Sequence, residues 1–450
     1  MARRRFGLLF LVVWMLVAPA AVAQTPQGPA VVDLPQPPSE PTYVPGRILI
    51  RFERDAVLRG ASDVRAQFDA SLIQRSPATG AEVWQVAPGR EAEIIDALRE
   101  RPDVAYAHPD WIVYALDTIP NDPSYSLFQW SLPIIKAPAA WDTTTGEPVI
   151  IAVLDTGVAL AHPDLQSKLV GGYDFHNNDA DPNDDHGHGT HVAGIAAAAT
   201  NNGIGIAGVS WGARIMPVKV LGADGRGLIS RVADGITGTE TVPGAVDRGA
   251  KVLNMSLGAP YNPASPQSYQ YLQDALDYAH AQGAVSLAAM GNCFAGQDCS
   301  VTDLMAPAAL NHVIAVAATG PTDTRAPYSM VGDHCDLAAP GGDDSSGNVG
   351  DRIYSTYPSS SYAWMQGTSM ATPHVAGAAA LLLSIEPLLA PGLRLSPGLV
   401  EALLKAGSRD LGAPGPDASY GAGRLDVERS LWLAMHVEPR VALPLVARQW

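Results

Sequence analysis

Two hydrophobic rhythms divide this chain. Between residues 44 and 116 the pattern is short and alternating. RILIRF (47–52) and EVWQV (82–86) suit half-buried strands, whose side chains point to opposite faces in turn. Residues 56–70 and REAEIIDALRERP (90–102) instead repeat apolar positions three and four apart, as amphipathic helices do. VAYAHPDWIVYAL (104–116) reads as paired short strands. Strands flanking two helices in so short a stretch predict a small ferredoxin-like α+β unit. The polar DTIPNDPSY (117–125) then marks an exposed boundary.

Beyond Gln129 the alternation gives way to continuous apolar runs: VIIAVLD (149–155), RIMPVKVL (214–221), KVLNMSL (251–257), GAVSLAAM (283–290) and HVIAVAA (312–318). Their length and β-branching predict strands buried on both faces. HVAGIAAAA (191–199), residues 229–248 and YLQDALDYAHAQG (271–283) read as helices, with GTETVPG (238–244) interrupting the second as an inserted loop. Strands alternating with helices predict an α/β fold with a doubly wound parallel sheet, whose active groups gather at the carboxyl ends of strands. SYGAGRLDVERSLWLAM (419–435) closes it as a turn and a helix, and the last residues fit neither element.

The N-terminus reads as an address. Arg3, Arg4 and Arg5 precede an apolar run (6–17), and Ala21-Val22-Ala23 offers a cleavage site, so residues 1–23 are a signal peptide and the protein is secreted. The run is short for a membrane span, and no later stretch reads as long enough for one, so stable membrane insertion is not expected. Residues 24–42, rich in Pro and Gln, form a linker. A net charge of −16 argues against nucleic acid or an anionic membrane as partner. The first 115 residues carry 12 Arg and no Lys against 13 acidic residues, so the excess belongs to the remainder. Three cysteines are present. Cys293 and Cys299 bracket a five-residue loop and could bridge in an oxidising compartment, leaving Cys335 over, although pairing of Cys335 with either stays open.

Four polar residues stand at element ends. Asp155 ends VIIAVLD before a Thr-Gly turn, His188 opens the helix of HGHGTHVAG, and Asn292 follows a strand in AAMGNC. Ser369 lies in GTSMATPHVAG at the start of an apolar helix, with Pro373 expected in that helix's first turn. Alone, Ser369 is better read as a helix cap than as a nucleophile. Together, acid, imidazole, amide and hydroxyl are the parts of acyl transfer: the acid orients the base, the base takes the serine proton, and an amide donor holds the oxyanion. His186, His188 and His191 crowd into six residues, so zinc is the competing reading, but no Cys or Glu completes a ligand set. His162 and His374 read as structural.

The motifs DTGVALAHPDL, HGHGTHVAG, NMSLG, AAMGN and GTSMATPHVAG, in that order, resemble those of the subtilisin-like serine peptidases, most closely the thermitase-like branch. The resemblance covers residues 119–433, with a weaker match to the family's inhibitory propeptide before it. It implies a propeptide domain at 43–117, a peptidase domain at 118–433 and a tail at 434–450. It further implies Asp155, His188 and Ser369 as triad, Asn292 as oxyanion donor, and Ser256, Leu257 and Gly258 as a strand edge for substrate backbone. His191 becomes a packing residue. Calcium is implied at two places: Asp174, Asp179, Asp181 and Asn183 in one, and Asp122, Asp164, Asn202 with the carbonyls of Thr200, Ile204 and Ile206 in the other. The primary pocket falls near DLMAPAA (303–309), where Met305 or Ala306 at the floor would make it apolar and medium-sized. The expected protein is a monomeric, secreted endopeptidase that acts on polypeptides and frees itself from its own inhibitory propeptide by a cut between residues 115 and 125. The alternatives are an exopeptidase on the same fold and a catalytically silent binding module, whose signature would be a damaged triad.

Overall fold

The computed structural model describes residues 43–53, 61–111, 118–293 and 304–437. The signal peptide, the linker, Cys299 and most of the tail lie outside the described residues. The chain divides into two units, Met1–Ala115 and Leu116–Trp450.

In the first unit β1 (Tyr43–Phe52), α1 (Ala61–Gln67), β2 (Ser71–Arg75), β3 (Glu82–Gln85), α2 (Glu91–Arg99) and β4 (Val104–Trp111) follow one another. The sheet order is β2-β3-β1-β4 with antiparallel pairing throughout, the ferredoxin-like arrangement. Every second residue of β1 points inward, so Ile48, Ile50 and Phe52 meet Val64, Trp84, Ile94, Ile95 and Leu98 in one core. Residues 104–111 form one strand against β1, and the rest of the stretch expected as paired strands, 112–116, lies outside the described residues. One detail differs from expectation. Strand β2 was not legible because all five of its residues are exposed, so no alternation announces it.

The second unit opens with three short helices, α3 (Tyr125–Phe128), α4 (Ser131–Ile134) and α5 (Ala137–Trp141). Its strands are β5 (Ile150–Asp155), β6 (Tyr173–Asp174), β7 (Arg214–Lys219), β8 (Val252–Met255), β9 (Ala259–Tyr261), β10 (Val285–Ala289), β11 (Leu304–Ala306), β12 (Val313–Thr319), β13 (Leu337–Pro340), β14 (Ile353–Tyr357) and β15 (Ser361–Met365). Its longer helices are α6 (His188–Ala197), α7 (Ile229–Thr237), α8 (Gln270–Ala281), α9 (Thr368–Ser384), α10 (Pro397–Gly407) and α11 (Val427–His436). Seven strands make one parallel sheet in the order β13-β12-β10-β8-β5-β7-β6.

The two-residue period sorts each strand between two cores. Ile151 and Val153 face the side covered by α6 and α9, while Ala152 and Leu154 face α7 and α8. That is the doubly wound arrangement. The order reverses at β5, which pairs with β7 on one side and β8 on the other, and ligand sites form outside the carboxyl ends at such a switch. The expected helix over 229–248 ends at Thr237. Gly238 leaves it at a φ of 88°, and residues 245–248 form turns. The expectation of no later membrane-length stretch is also corrected. Thr368–Leu388 is long and apolar enough by composition, but 83% of its 18-residue apolar window is buried, as befits the central core helix of a globular domain.

Candidate active site

The β5 strand delivers Asp155 to the switch point, fully buried. The chain then turns through Thr156 and Gly157, whose φ is 105°. A Cβ on Gly157 would stand 2.5 Å from the Pro182 carbonyl, so only glycine lets this turn approach the following loop. That loop leads through Gly187 into α6, and α6 starts with His188. His188 Nδ1 donates to Asp155 Oδ1 at 2.7 Å, and the same oxygen accepts the Thr156 N–H at 2.7 Å. Burial alone would depress the imidazole pKa, but the Asp155 carboxylate, helped by Asp184, holds it above the ordinary histidine value.

Ser369 lies in the first turn of α9. Pro373 is the sixth residue of that helix rather than part of its first turn. The carbonyl that loses its N–H partner through the proline is therefore that of Ser369, four residues back. Ser256 satisfies it: its hydroxyl donates to the Ser369 carbonyl at 2.8 Å, and its own carbonyl accepts the Ser369 hydroxyl at 3.2 Å. Ser256 follows β8 directly, so this reciprocal pair ties the Ser369 turn to the sheet. Among the described residues no hydrogen bond joins Ser369 Oγ to His188.

Asn292 follows Gly291 after β10. Its Oδ1 accepts both the N–H (2.9 Å) and the hydroxyl (3.0 Å) of Thr368, and the Thr368 hydroxyl accepts the Gly291 N–H at 3.2 Å. With the oxygen so fixed, the amide orientation is determined, and Nδ2 is left as a donor beside Gly367. Thr368 was not singled out in the sequence, although it is the residue that aims this amide.

Ser256, Leu257 and Gly258 form one wall of a cleft of about 550 Å³ that also takes in Thr156, His186 and His188. The facing wall, Asp224 to Ile229, escaped the sequence reading. Its signal was available: GADGRGL follows the carboxyl end of β7, where a doubly wound sheet places its ligand loops. Met305 lies between two glycines of this region. A Cβ on Gly291 would meet Met305 Cγ at 2.8 Å, and one on Gly258 would meet Met305 Cε at 3.4 Å.

The three clustered histidines do not converge. His191 is buried, its Nε2 bonded to the Ala363 carbonyl at 3.0 Å, and burial pushes its pKa down to about 3. His186 and His188 stand with ring centroids 6.4 Å apart. His374 is held neutral between the Met370 carbonyl and the Ser131 hydroxyl, its pKa lowered to about 4 by burial, and His162 bonds the Ser361 carbonyl. Cys335 is a free, buried thiol. The expected partner of Cys293 lies outside the described residues.

Among the described residues no three His, Cys, Asp or Glu side chains gather closely enough to hold a metal. A cation would need amide and carbonyl oxygens as well. Asp122 and Asp164 are 3% and 0% exposed, and among the described residues neither has a cationic partner within salt-bridge distance. Burial foremost, and repulsion from Asp164, raise the Asp122 pKa against the N–H groups of Asn201 and Asn202. Asp164 accepts Asn202 Nδ2 (2.9 Å), the Ile206 N–H (3.0 Å) and the Tyr362 hydroxyl (2.8 Å), so both carboxylates grip the 200–206 loop. Two buried, uncompensated carboxylates against a loop rich in carbonyls fit a hard divalent cation. The other expected set is less gathered. Asp174 is buried and bonds Asn177, whereas Asp179, Asp181 and Asn183 are exposed and accept loop N–H groups.

A family model described as Subtilase family matches residues 146–423, and one described as Fervidolysin N-terminal prodomain matches residues 29–110. Thermitase from Thermoactinomyces vulgaris is 47% identical over 265 residues, covering 59% of this chain and 85% of that protein. A thermophilic serine proteinase from Bacillus sp. (strain AK1) is 38% identical over 343 residues, covering 76% of this chain and 79% of the relative. Among solved structures, a protease from Pseudoalteromonas arctica superposes with a TM-score of 0.62 at 37% identity, covering 70% of this chain and all of that one.

Proposed function

Because the chain belongs to the subtilase family, serine endopeptidases here preceded by a prodomain, we propose that Asp155, His188 and Ser369 are its catalytic triad and Asn292 its oxyanion donor. The observation that carries this reading is the 2.7 Å bond from His188 to Asp155, made at the switch point of the sheet beside a cleft lined by His188 and by Ser256, whose carbonyl accepts the Ser369 hydroxyl. The Ser369 hydroxyl swings from the Ser256 carbonyl towards His188, gives up its proton to the imidazole and attacks the peptide carbonyl. Asn292 Nδ2 and the Ser369 N–H receive the oxyanion. Asp155 keeps the imidazole in the Nδ1–H tautomer and stabilises the imidazolium. As the peptide C–N bond breaks, the imidazolium passes its proton to the leaving amine and an acyl-enzyme remains; a water deprotonated by His188 then hydrolyses that ester and regenerates Ser369. A fluorophosphonate probe should label the chain at Ser369 and leave Ser369→Ala unlabelled. Equal labelling of both would overturn the assignment.

The secreted protein is proposed to mature by cutting itself between residues 115 and 125, with residues 43–117 acting as inhibitor and folding aid until then. The prodomain description of the family model for residues 29–110 supports that role.

Calcium is proposed to bind at Asp122, Asp164 and Asn202 with the carbonyls of Thr200, Ile204 and Ile206, and more weakly around Asp174, Asp179, Asp181 and Asn183. At the first place it would neutralise two buried carboxylates and hold the 200–206 loop. Calcium at a hundredfold excess over its dissociation constant would add about 2.7 kcal/mol, which corresponds to a rise of roughly 4 °C for a domain of this size. Chelator should therefore lower the melting temperature of calcium-loaded protein by that amount. No change in protein shown beforehand to carry calcium would count against both places.

Met305 fills the space between Gly258 and Gly291, so the primary pocket is proposed to be apolar and shallow, favouring small side chains. Met305→Gly should raise kcat/KM for substrates with a large aromatic residue at the scissile bond by about tenfold or more, since each methylene admitted contributes on the order of 1 kcal/mol. Unchanged selectivity in that variant would remove Met305 from the pocket.

A further inference from the structure

Asp184 lies four residues before His188 and holds none of the roles above. It is 5% exposed in a loop whose neighbours Asp181, Asn183, Asp185 and His186 are exposed. A buried carboxylate is costly unless its oxygens are satisfied, and both of these are. Oδ1 accepts the Thr156 hydroxyl at 2.8 Å and the N–H groups of His186 and Gly187 at 2.9 Å each. Oδ2 accepts the N–H (2.9 Å) and hydroxyl (2.5 Å) of Thr190.

These partners are the two segments that must be held in register for catalysis. Thr156 follows Asp155 directly, and its hydroxyl oxygen accepts the Gly189 N–H at 2.9 Å. Gly187, Gly189 and Thr190 surround His188 at the start of α6. The Thr190 hydroxyl oxygen in turn accepts the Ala159 N–H at 2.9 Å, on the far side of the Thr156-Gly157 turn. One carboxylate thus fastens the turn after the acid to the helical turn that carries the base. We propose that Asp184 is a positioning residue for the reaction, fixing the Asp155–His188 pair in its productive geometry. This rests on the triad reading given above.

The hydrogen-bond arithmetic makes the residue type demanding. An asparagine at 184 has one acceptor oxygen and one amino group. With the amino group in place of Oδ1 it would confront two backbone N–H groups. In place of Oδ2 it would confront the Thr190 N–H, and that clash lies in the first turn of α6. Either orientation pushes the start of the helix away from the Asp155 turn. Asp184 also contributes charge. The groups facing His188 are Asp155 on β5, Asp184 and His186 in the preceding loop, His191 on its own helix, and Asp224 and Arg226 across the cleft. Asp155 and Asp184 are the carboxylates that favour the imidazolium.

The test compares parent, Asp184→Asn, Thr156→Val and Ser369→Ala, matured in trans where needed, by kcat, KM, the pH profile of kcat/KM and thermal melting. Misplacing a catalytic pair by an ångström can cost about a hundredfold. Asp184→Asn should lose about 10- to 100-fold in kcat with KM within roughly twofold, and the acid limb of its profile should move to lower pH. Thr156→Val, which keeps the charge but cuts the two links made through the Thr156 hydroxyl, to Asp184 and from the Gly189 N–H, should lower kcat and leave the acid limb in place. A folded Asp184→Asn with parental kcat and parental acid limb overturns the proposal. If that variant does not fold, parental kcat in Thr156→Val overturns it. Turnover retained in Ser369→Ala would remove the triad reading itself, whereas an inactive Ser369→Ala beside a parental Asp184→Asn removes only the role of Asp184.

Discussion

Ser369→Ala should fold normally, lose about a millionfold in turnover and remain a full-length precursor. The size of the loss is that of other enzymes with this triad, about 10⁶ in kcat. Normal folding does follow from the geometry. The hydroxyl makes one bond, at 3.2 Å to the Ser256 carbonyl, from a half-buried position. A neutral hydrogen bond of that kind contributes about 1 kcal/mol or less. The contact that supports the helix runs the other way, from the Ser256 hydroxyl to the Ser369 carbonyl, and alanine keeps that carbonyl. The variant also retains Asn292 with its amide aimed by Thr368, so the residual rate over water should reflect oxyanion binding alone. Because the proposed maturation uses the same serine, the variant should accumulate uncut and be processed only when active enzyme is added. Gel analysis with N-terminal sequencing and a turnover assay checks both halves. Normal turnover, or a cut between residues 115 and 125 without added enzyme, would sink the assignment.

What the sequence disclosed and withheld follows from the range of the interactions. The buried strands of the main sheet were legible because burial on both faces leaves an unbroken apolar run, as in VIIAVLD and HVIAVAA. Strand β2 was not, since SLIQR buries nothing and has no period to detect. Asp155, His188, Asn292 and Ser369 were readable as chemistry because each sits within two residues of a glycine at an element end, a local signal. The supports of those residues are not local. Thr368 is joined to Asn292 across 76 residues, Ser256 to Ser369 across 113, and Asp184 to Thr156 across 28. No pattern within a single motif distinguishes Asp184 from the exposed acids around it; only the closed fold shows which carboxylate is buried. Pro373 makes the same point in reverse. The rule that proline belongs in a first turn failed because tertiary structure supplied the missing donor from a different strand's end.

The second large effect is expected for Asp155→Asn, on the order of 10⁴ in kcat/KM at neutral pH. Two explanations for such a loss are usually available, a reversed imidazole tautomer or a missing charge, and the contacts here separate them. Asp155 Oδ1 accepts from His188 Nδ1 and from the Thr156 N–H at the same distance, 2.7 Å. The backbone N–H can only donate, so an asparagine must keep its oxygen at that position and turn its amino group to the place of Oδ2. Oδ2 has no hydrogen-bond partner among the described residues, so the new N–H groups would be buried without acceptors. The His188 tautomer is therefore preserved, and the loss arises from the absent negative charge behind the imidazolium. The charge argument fixes the pH signature. Catalysis needs neutral His188, so parental activity falls as pH drops through a pKa held above the ordinary 6.5 chiefly by Asp155 against the pull of burial. With that carboxylate neutralised the pKa falls, and the acid limb of the remaining activity must move to lower pH. A pH profile of kcat/KM measured on enzyme matured in trans decides it. Activity within tenfold of the parent, or an acid limb that moves upward, would show that Asp155 does not carry the charge assigned to it.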